Sequence, residues 1–200
     1  MDYYHTIEKE SVAEFKDRGS RFLAYAFPIN DADEFKKKLQ LLKKEHGKAV
    51  HHCFAYRLGY SGNNFRSNDD GEPSGSAGKP ILGQIDSKNL TNIAIIVVRY
   101  FGGSLLGVPG LINAYKTASV LALQTVPMVQ KPIMEQWEAH FEYNLLNDIM
   151  LLIKNCQCSI QKQDLGLFST IIFEVPRNRE EEAMFKMKDL RNATFKKLLP

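Results

Sequence analysis

Asp69, Asp70 and Glu72 stand close together in the run Arg66-Ser-Asn-Asp-Asp-Gly-Glu-Pro-Ser-Gly-Ser-Ala-Gly-Lys-Pro80. Carboxylates this close are the groups that hold a divalent cation or work as a general acid/base pair. The EF-hand spacing is missing, and acids beside glycine and proline also form Asx-type turns, so both readings stand. The run has almost no apolar side chains and reads as one long functional loop. Gly78-Lys79 suggests a P-loop, but Pro73 stands where that motif needs glycine and Pro80 where it needs Ser or Thr. Ser74 and Ser76 have no base partner in the sequence, and Gly-Ser76-Ala-Gly is not a nucleophile elbow. His51, His52 and Cys53 fall on an expected strand, where alternation puts His51 and Cys53 on one face. Strand neighbours two apart splay, so Cys53 reads as a small buried hydrophobe rather than a nucleophile. No catalytic residue, metal ligand or cofactor is assigned.

A second glycine-rich segment, Gly102-Gly103-Ser-Leu-Leu-Gly107-Val-Pro109-Gly110, follows an apolar strand and precedes a helix. Freed backbone N–H groups at a helix start make an anion-binding concavity, to which Arg99 and Lys116 add charge. The same glycines equally serve tight turning and close packing, and the dinucleotide fingerprint GxGxxG is absent. Basic and aromatic residues interleave at Tyr56-Arg57, Phe65-Arg66 and Arg99-Tyr100-Phe101, the types that grip phosphates and stack on bases. Arg57, Arg66, Lys79, Arg99 and Lys116, with Gly102, Gly103, Gly107 and Gly110, are the candidate nucleic-acid or anion-binding set. Arg99 is expected to pair with Asp69 or Asp70 and hold the two loops together.

These residues need elements to place them. Arg21–Ile29 reads as a strand. Asp31 or Asn30 caps a helix carrying Ala32, Phe35, Leu39 and Leu42 on one face and Lys36, Lys37, Lys38, Lys43 and Lys44 elsewhere, with Gly47 as its stop. Ala49–Leu58 is a strand, and Pro80–Ile85 a short helix or turn. Ile93–Tyr100 is a strand buried on both faces. Leu111–Thr125 is a helix opened by Pro109. Pro127, Lys131 and Pro132 read as a linker. Beyond it, Ile133–Tyr143, Gln157–Gln163, Leu167–Val175 and Thr194–Leu199 read as strands around two helices. The first helix is Asn144–Asn155. The second opens on an Asn178/Glu181 capping box and buries Ala183, Met184, Met187 and Leu190. That order is βαββαβ, the ferredoxin-like plan.

The 200 residues are 44% hydrophobic and 24% charged, which fits a globular chain of one or two domains. Up to Ile133 there are 17 Lys+Arg against 13 Asp+Glu, and beyond it 9 against 10, so a polyanion-facing surface belongs to the first part. Cys53, Cys156 and Cys158 do not form a disulfide framework and read as free thiols of a reducing compartment. The opening residues lack a signal pattern and no apolar run reaches membrane length, so a cytoplasmic protein with no membrane partner is expected.

Three segments together resemble the YigZ/IMPACT family: His51-His-Cys-Phe-Ala-Tyr-Arg57, Asn68-Asp-Asp-Gly-Glu-Pro-Ser-Gly-Ser-Ala-Gly-Lys-Pro80, and Arg99-Tyr-Phe-Gly-Gly-Ser-Leu-Leu-Gly107 through Gly110-Leu111 to Ala114-Tyr115. The resemblance implies an α+β chain in two domains. Residues 1–131 would be ribosomal protein S5 domain 2-like and residues 132–200 ferredoxin-like, a pairing similar to domains IV and V of elongation factor G. It implies translation-associated contact with RNA or the ribosome, without enzymatic activity. Eukaryotic members add an N-terminal RWD domain, for which this chain has no room. Ser76 stands where the family commonly has Thr, and Asn113 where it usually has Arg, which weakens the phosphate grip at that helix start. Two other functions are carried alongside. One is a hydrolase-like enzyme using the acidic loop on a small phosphorylated or peptide-like substrate. The other is a protein-interaction module. The oligomeric state is not legible.

Overall fold

The computed structural model describes residues 1–198. It is a mixed α/β chain that divides into two compact units, Tyr4–Gln130 and Met1–Tyr3 together with the chain from Lys131 on.

The first unit begins with β1 (Tyr3–Ile7), β2 (Ser11–Asp17), β3 (Ser20–Pro28) and α1 (Ala32–Glu45). It continues with β4 (His51–Leu58), β5 (Asn64–Asn68), α2 (Gly78–Ser87), β6 (Ile93–Tyr100) and α3 (Gly107–Gln124). Five strands form one antiparallel sheet in the order β2-β3-β6-β4-β5. The central strand β6 is apolar at every position from Ile93 to Val98 because both faces are covered. On one face Ile93, Ile95, Val97, Cys53, Ala55 and Phe22 pack beneath α2 and α3. On the other, Ala94, Ile96, Val98, Phe54 and Tyr56 receive Phe35 and Leu42 of α1. Asp31 caps α1 as expected, its Oδ1 accepting from the N–H groups of Asp33 and Glu34 at 2.8 Å each, a cap that contributes about 1 kcal/mol.

Several boundaries differ from the sequence reading. Arg66 lies in strand β5, and Gly78, Lys79 and Pro80 lie in α2, so the acidic loop is only Asp69–Ala77. The second loop likewise ends early: α3 starts at Gly107, placing Pro109 and Gly110 inside its first turn. The expected linker at Pro127–Pro132 is largely strand β7 (Met128–Pro132), which pairs with β1.

In the second unit β8 (Met134–Glu142), α4 (Leu146–Asn155), β9 (Ser159–Asp164), β10 (Phe168–Pro176), α5 (Glu180–Asp189) and β11 (Ala193–Lys197) follow the expected order of strands and helices. Their antiparallel sheet runs β11-β8-β10-β9. Trp137, Ala139, Phe141, Ile171, Phe173 and Val175 face Ile149, Leu152, Ala183 and Met187 of the helices. Met184 is exposed rather than buried, and Leu167 is exposed as well. The Asn178/Glu181 capping box does not form, because a 3-10 turn over Arg177–Arg179 makes Arg179 the residue that leads into α5. The expected last strand extended to Leu199, which lies outside the described residues. Among the described residues, no helix is long and apolar enough to cross a membrane.

Candidate functional site

The acidic loop leaves β5, folds over the ends of β4 and β6 and enters α2. Its three acids do three different things. Asp69 accepts from Gly75 N–H at 2.9 Å through one oxygen, and from Ala77 N–H at 3.0 Å and Gly78 N–H at 2.8 Å through the other. It therefore supplies the cap that the residue at the helix start, Ala77, cannot. The anion position at this helix start is filled by the protein's own carboxylate. Burial alone would raise the Asp69 carboxyl, but the three backbone donors, with Lys79 nearby, outweigh it and hold it below its ordinary value.

A group lowered in the folded state stabilises the fold above its unfolded pKa and loses that contribution as pH falls through the folded one. Asp69→Asn should therefore cost about 1–2 kcal/mol at pH 7, discounted for the half-exposed position. The gap to the parent chain should shrink as the pH falls below about 4. Urea denaturation across that range is the measurement, and a pH-independent gap would exclude the charged cap.

Asp70, in the left-handed region at φ 42°, turns away and accepts from the backbone N–H of His52 at 2.7 Å. Lys43 of α1 approaches its other oxygen at 3.6 Å. His52 itself is buried, and that burial pushes its imidazole below the ordinary value although Asp70 pulls it the other way.

Glu72 enters the core. Its side chain is 3% exposed, and its Oε1 accepts from Arg99 Nη1 at 2.6 Å and from the Tyr115 hydroxyl at 2.7 Å. Its Oε2 lies 3.8 Å from His51 Nε2, while His51 Nδ1 meets the Asp70 carbonyl at 2.7 Å. The Cys53 thiol sits 3.0 Å from the Asp69 carbonyl and 3.3 Å from the Tyr115 hydroxyl. Burial pushes both the Cys53 thiol and the Tyr115 phenol well above their ordinary values. Both groups stay protonated at neutral pH, and Cys53 is no nucleophile. The expected partner of Arg99 was Asp69 or Asp70; it is Glu72. The reason is reach: Asp69 is engaged at the α2 start and Asp70 at His52, whereas Glu72 lies over the end of β6. The Arg99 guanidinium carbon sits 5.5 Å from the Phe22 ring centre and 5.6 Å from that of Phe101, an apolar slot with a charge in it.

Tyr115 is buried on α3, and sequence reasoning assigned it no role. A buried tyrosine needs an acceptor for its hydroxyl, and that requirement was the signal available in the sequence. His51, too, joins the cluster without having been singled out for it.

The basic set does not converge. Arg57 is held by Asp86 at 2.6 Å and by the Gly62 carbonyl. Arg99 is buried. Arg66 is exposed on β5, its guanidinium over the Phe54 ring on the α1 side of the sheet. Lys79 on α2 and Lys116 on α3 are exposed on the opposite side. Gly102 is a packing glycine, with its N–H donating to Ser20 Oγ at 3.2 Å. Gly103 and Gly107 hold positive φ angles of 85° and 71° in exposed positions. A Cβ on Gly110 would press on the Leu106 side chain at 3.0 Å. Among the described residues, no group of three His, Cys, Asp or Glu side chains is placed to hold a metal ion.

The residues that build this cluster lie in a part of the chain that is similar to known proteins. A family model described as the Impact N-terminal domain matches residues 18–123. IMPACT family member YvyE of Bacillus subtilis (strain 168) is 34% identical over 187 residues, which cover 92% of this chain and 86% of that protein. IMPACT family member YigZ of Escherichia coli (strain K12) is 30% identical over 188 residues, covering 90% and 89%. A crystal structure of a hypothetical protein is similar along 100% of this chain and 98% of its own, with a TM-score of 0.79 at 28% identity.

Proposed function

This chain belongs to the IMPACT family, and from that premise we propose that it is a cytoplasmic, translation-associated protein that binds RNA or the ribosome and performs no catalysis of its own. The observation that carries this reading is the placement of Glu72. The loop with the residue types for acid/base or metal chemistry spends its carboxylates internally: Asp69 on α2, Asp70 on the His52 backbone, Glu72 on Arg99 and Tyr115. It works as a clasp between elements. What remains for a partner is the exposed basic side chains of the first unit, in the part of the chain where Lys and Arg outnumber Asp and Glu. A surface that binds through lysine and arginine suits a polyanion. The same reading takes the first unit as ribosomal protein S5 domain 2-like and the second, with its βαββαβ order, as ferredoxin-like, meeting near residue 131.

Fluorescence anisotropy with a labelled 20-nucleotide RNA, titrated at several KCl concentrations, tests the proposal. Affinity should fall steeply, with a slope of log K against log salt of about −3 or steeper, corresponding to four or more phosphate contacts on a single strand. No RNA binding, or binding flat in salt, would refute it. One observation favours the protein-interaction reading instead. Leu167 and Phe168, around the β9–β10 turn, are 79% and 78% exposed, and a partner seated on them would be held by apolar burial, with little dependence on salt.

A further inference from the structure

Helix α1 is the most basic element of the first unit. Lys36, Lys37, Lys38, Lys43 and Lys44 lie on it and Lys48 just beyond its end, against Asp33, Glu34 and Glu45. The inner face is fixed in place: Phe35 and Leu42 are buried, and the Phe35 ring packs 4.7 Å from Phe54 and 4.8 Å from Tyr56. The lysines divide by partner. Lys36 pairs with Asp33 at 2.8 Å, Lys38 with Glu10 at 2.6 Å, and Lys43 approaches Asp70 at 3.6 Å. Lys37, Lys44 and Lys48 are exposed and, among the described residues, make no ion pair or hydrogen bond. Lys37 and Lys44 are seven residues apart, which puts them on one side of the helix about 10.5 Å apart along its axis. Arg66 of β5 adds to this side of the molecule, close enough that its charge acts on Lys36.

Resting on the reading that this protein binds RNA, we propose that the RNA-facing surface is the outer side of α1, through Lys37, Lys44 and Lys48 with Arg66 at its margin, rather than the glycine loop and the α3 start. This surface contacts phosphates and does not read bases. Lys37 and Lys44 stand on a helix pinned by core side chains, so these two charges are held on one side of it before any partner arrives, with Lys48 just beyond the helix end. The helix offers no aromatic ring outward, since Phe35 points inward and the apolar residue between the lysines, Leu41, has no face on which a base could stack. A row of unpaired cations without stacking groups complements a sequence-independent polyanion. Of the residues expected to grip phosphate, Arg57 and Arg99 are consumed by Asp86 and Glu72.

The test uses the full chain and the same 20-nucleotide RNA. A variant carrying Lys37→Glu, Lys44→Glu and Lys48→Glu is compared with one carrying Lys79→Glu and Lys116→Glu. All five side chains are exposed, so both variants should remain folded, with at most a small drop in unfolding midpoint for the variant in which Lys79→Glu puts a negative charge near Asp69; the midpoints are checked first. The α1 variant should bind at least tenfold more weakly at low salt, with the salt slope reduced by about 2 for three lost contacts. The α2/α3 variant should bind within about twofold of the parent. RNA bound by the α1 variant but lost by the other would overturn the assignment while leaving RNA binding intact. A parent chain that binds no RNA would bring down both readings. A parent that ignores RNA but binds polyglutamate through the α1 lysines would assign the face to an acidic protein and overturn the proposal as well.

Discussion

Glu72→Ala should cost about 3–5 kcal/mol of folding stability, a large part of what a domain this size commonly has. The cost comes less from the lost contact than from what it leaves behind. The Arg99 side chain is 6% exposed, its Nε has no hydrogen-bond partner among the described residues, and the rings of Phe22 and Phe101 flank it. With Glu72 gone, a guanidinium charge and the Tyr115 hydroxyl stand in that slot without an acceptor. Arg99→Met should be costly for the mirror-image reason, stranding a buried carboxylate. The pair together, Glu72→Leu with Arg99→Met, should cost less than the sum of the two single changes, because no charge is then left alone. Urea denaturation with unchanged m-values is the measurement. Hydrogen exchange adds a local check, since releasing the loop should also expose the Ala77 and Gly78 amides that Asp69 holds. A Glu72→Ala variant within about 0.5 kcal/mol of the parent would show that the carboxylate is no buried anchor, and with it would go the reading of the loop as a clasp.

The central strand and the helices were legible in the sequence because burial on one or both faces imposes a pattern. Ile93–Val98 is apolar without a break, and α1 repeats Phe35, Leu39 and Leu42 at helical spacing. The strands β1, β2 and β5 were missed for the converse reason. β2 and β5 are the edges of the sheet, and Asn64-Phe-Arg-Ser-Asn68 keeps no fully buried residue from which to read an alternation. The acids of the site were found, but not their partners. Asp69 caps a helix that begins nine residues later, and Glu72 meets Arg99 and Tyr115 across 27 and 43 residues of chain. Both are long-range contacts that local spacing does not encode. The near lack of apolar side chains in the acidic run led it to be read as a functional loop and not as a core element. Its middle is instead core, with Glu72, Ser76 and Ala77 all buried, because each polar group there has a bonded partner.

Gly102→Ala should be among the most damaging single-methyl changes available to this chain, at or beyond the upper end of the 1–3 kcal/mol usual for overpacking. A Cβ on Gly102 would overlap the backbone of Gly19 and Ser20 outright, and a Cβ on Gly19 would lie 2.8 Å from the Gly102 carbonyl oxygen. Two chain segments cross here with only glycine between them. Neither can step aside cheaply: Ser20 is fully buried, and the β3–β6 ladder is zipped from Arg21 opposite Tyr100 to Pro28 opposite Ile93. Gly103 is the control. Its φ is 85°, but a Cβ there meets nothing within 4 Å, so Gly103→Ala should lose only the roughly 1–2 kcal/mol of a left-handed backbone. Thermal and urea unfolding of the two neighbours separates steric crossing from backbone preference. Equal losses would mean that the segments part easily and that the glycines serve conformation alone. A clearly larger loss at Gly102 settles this glycine as a packing residue and leaves its conformationally free neighbours, Gly103 and Gly107, as the exposed part of the loop.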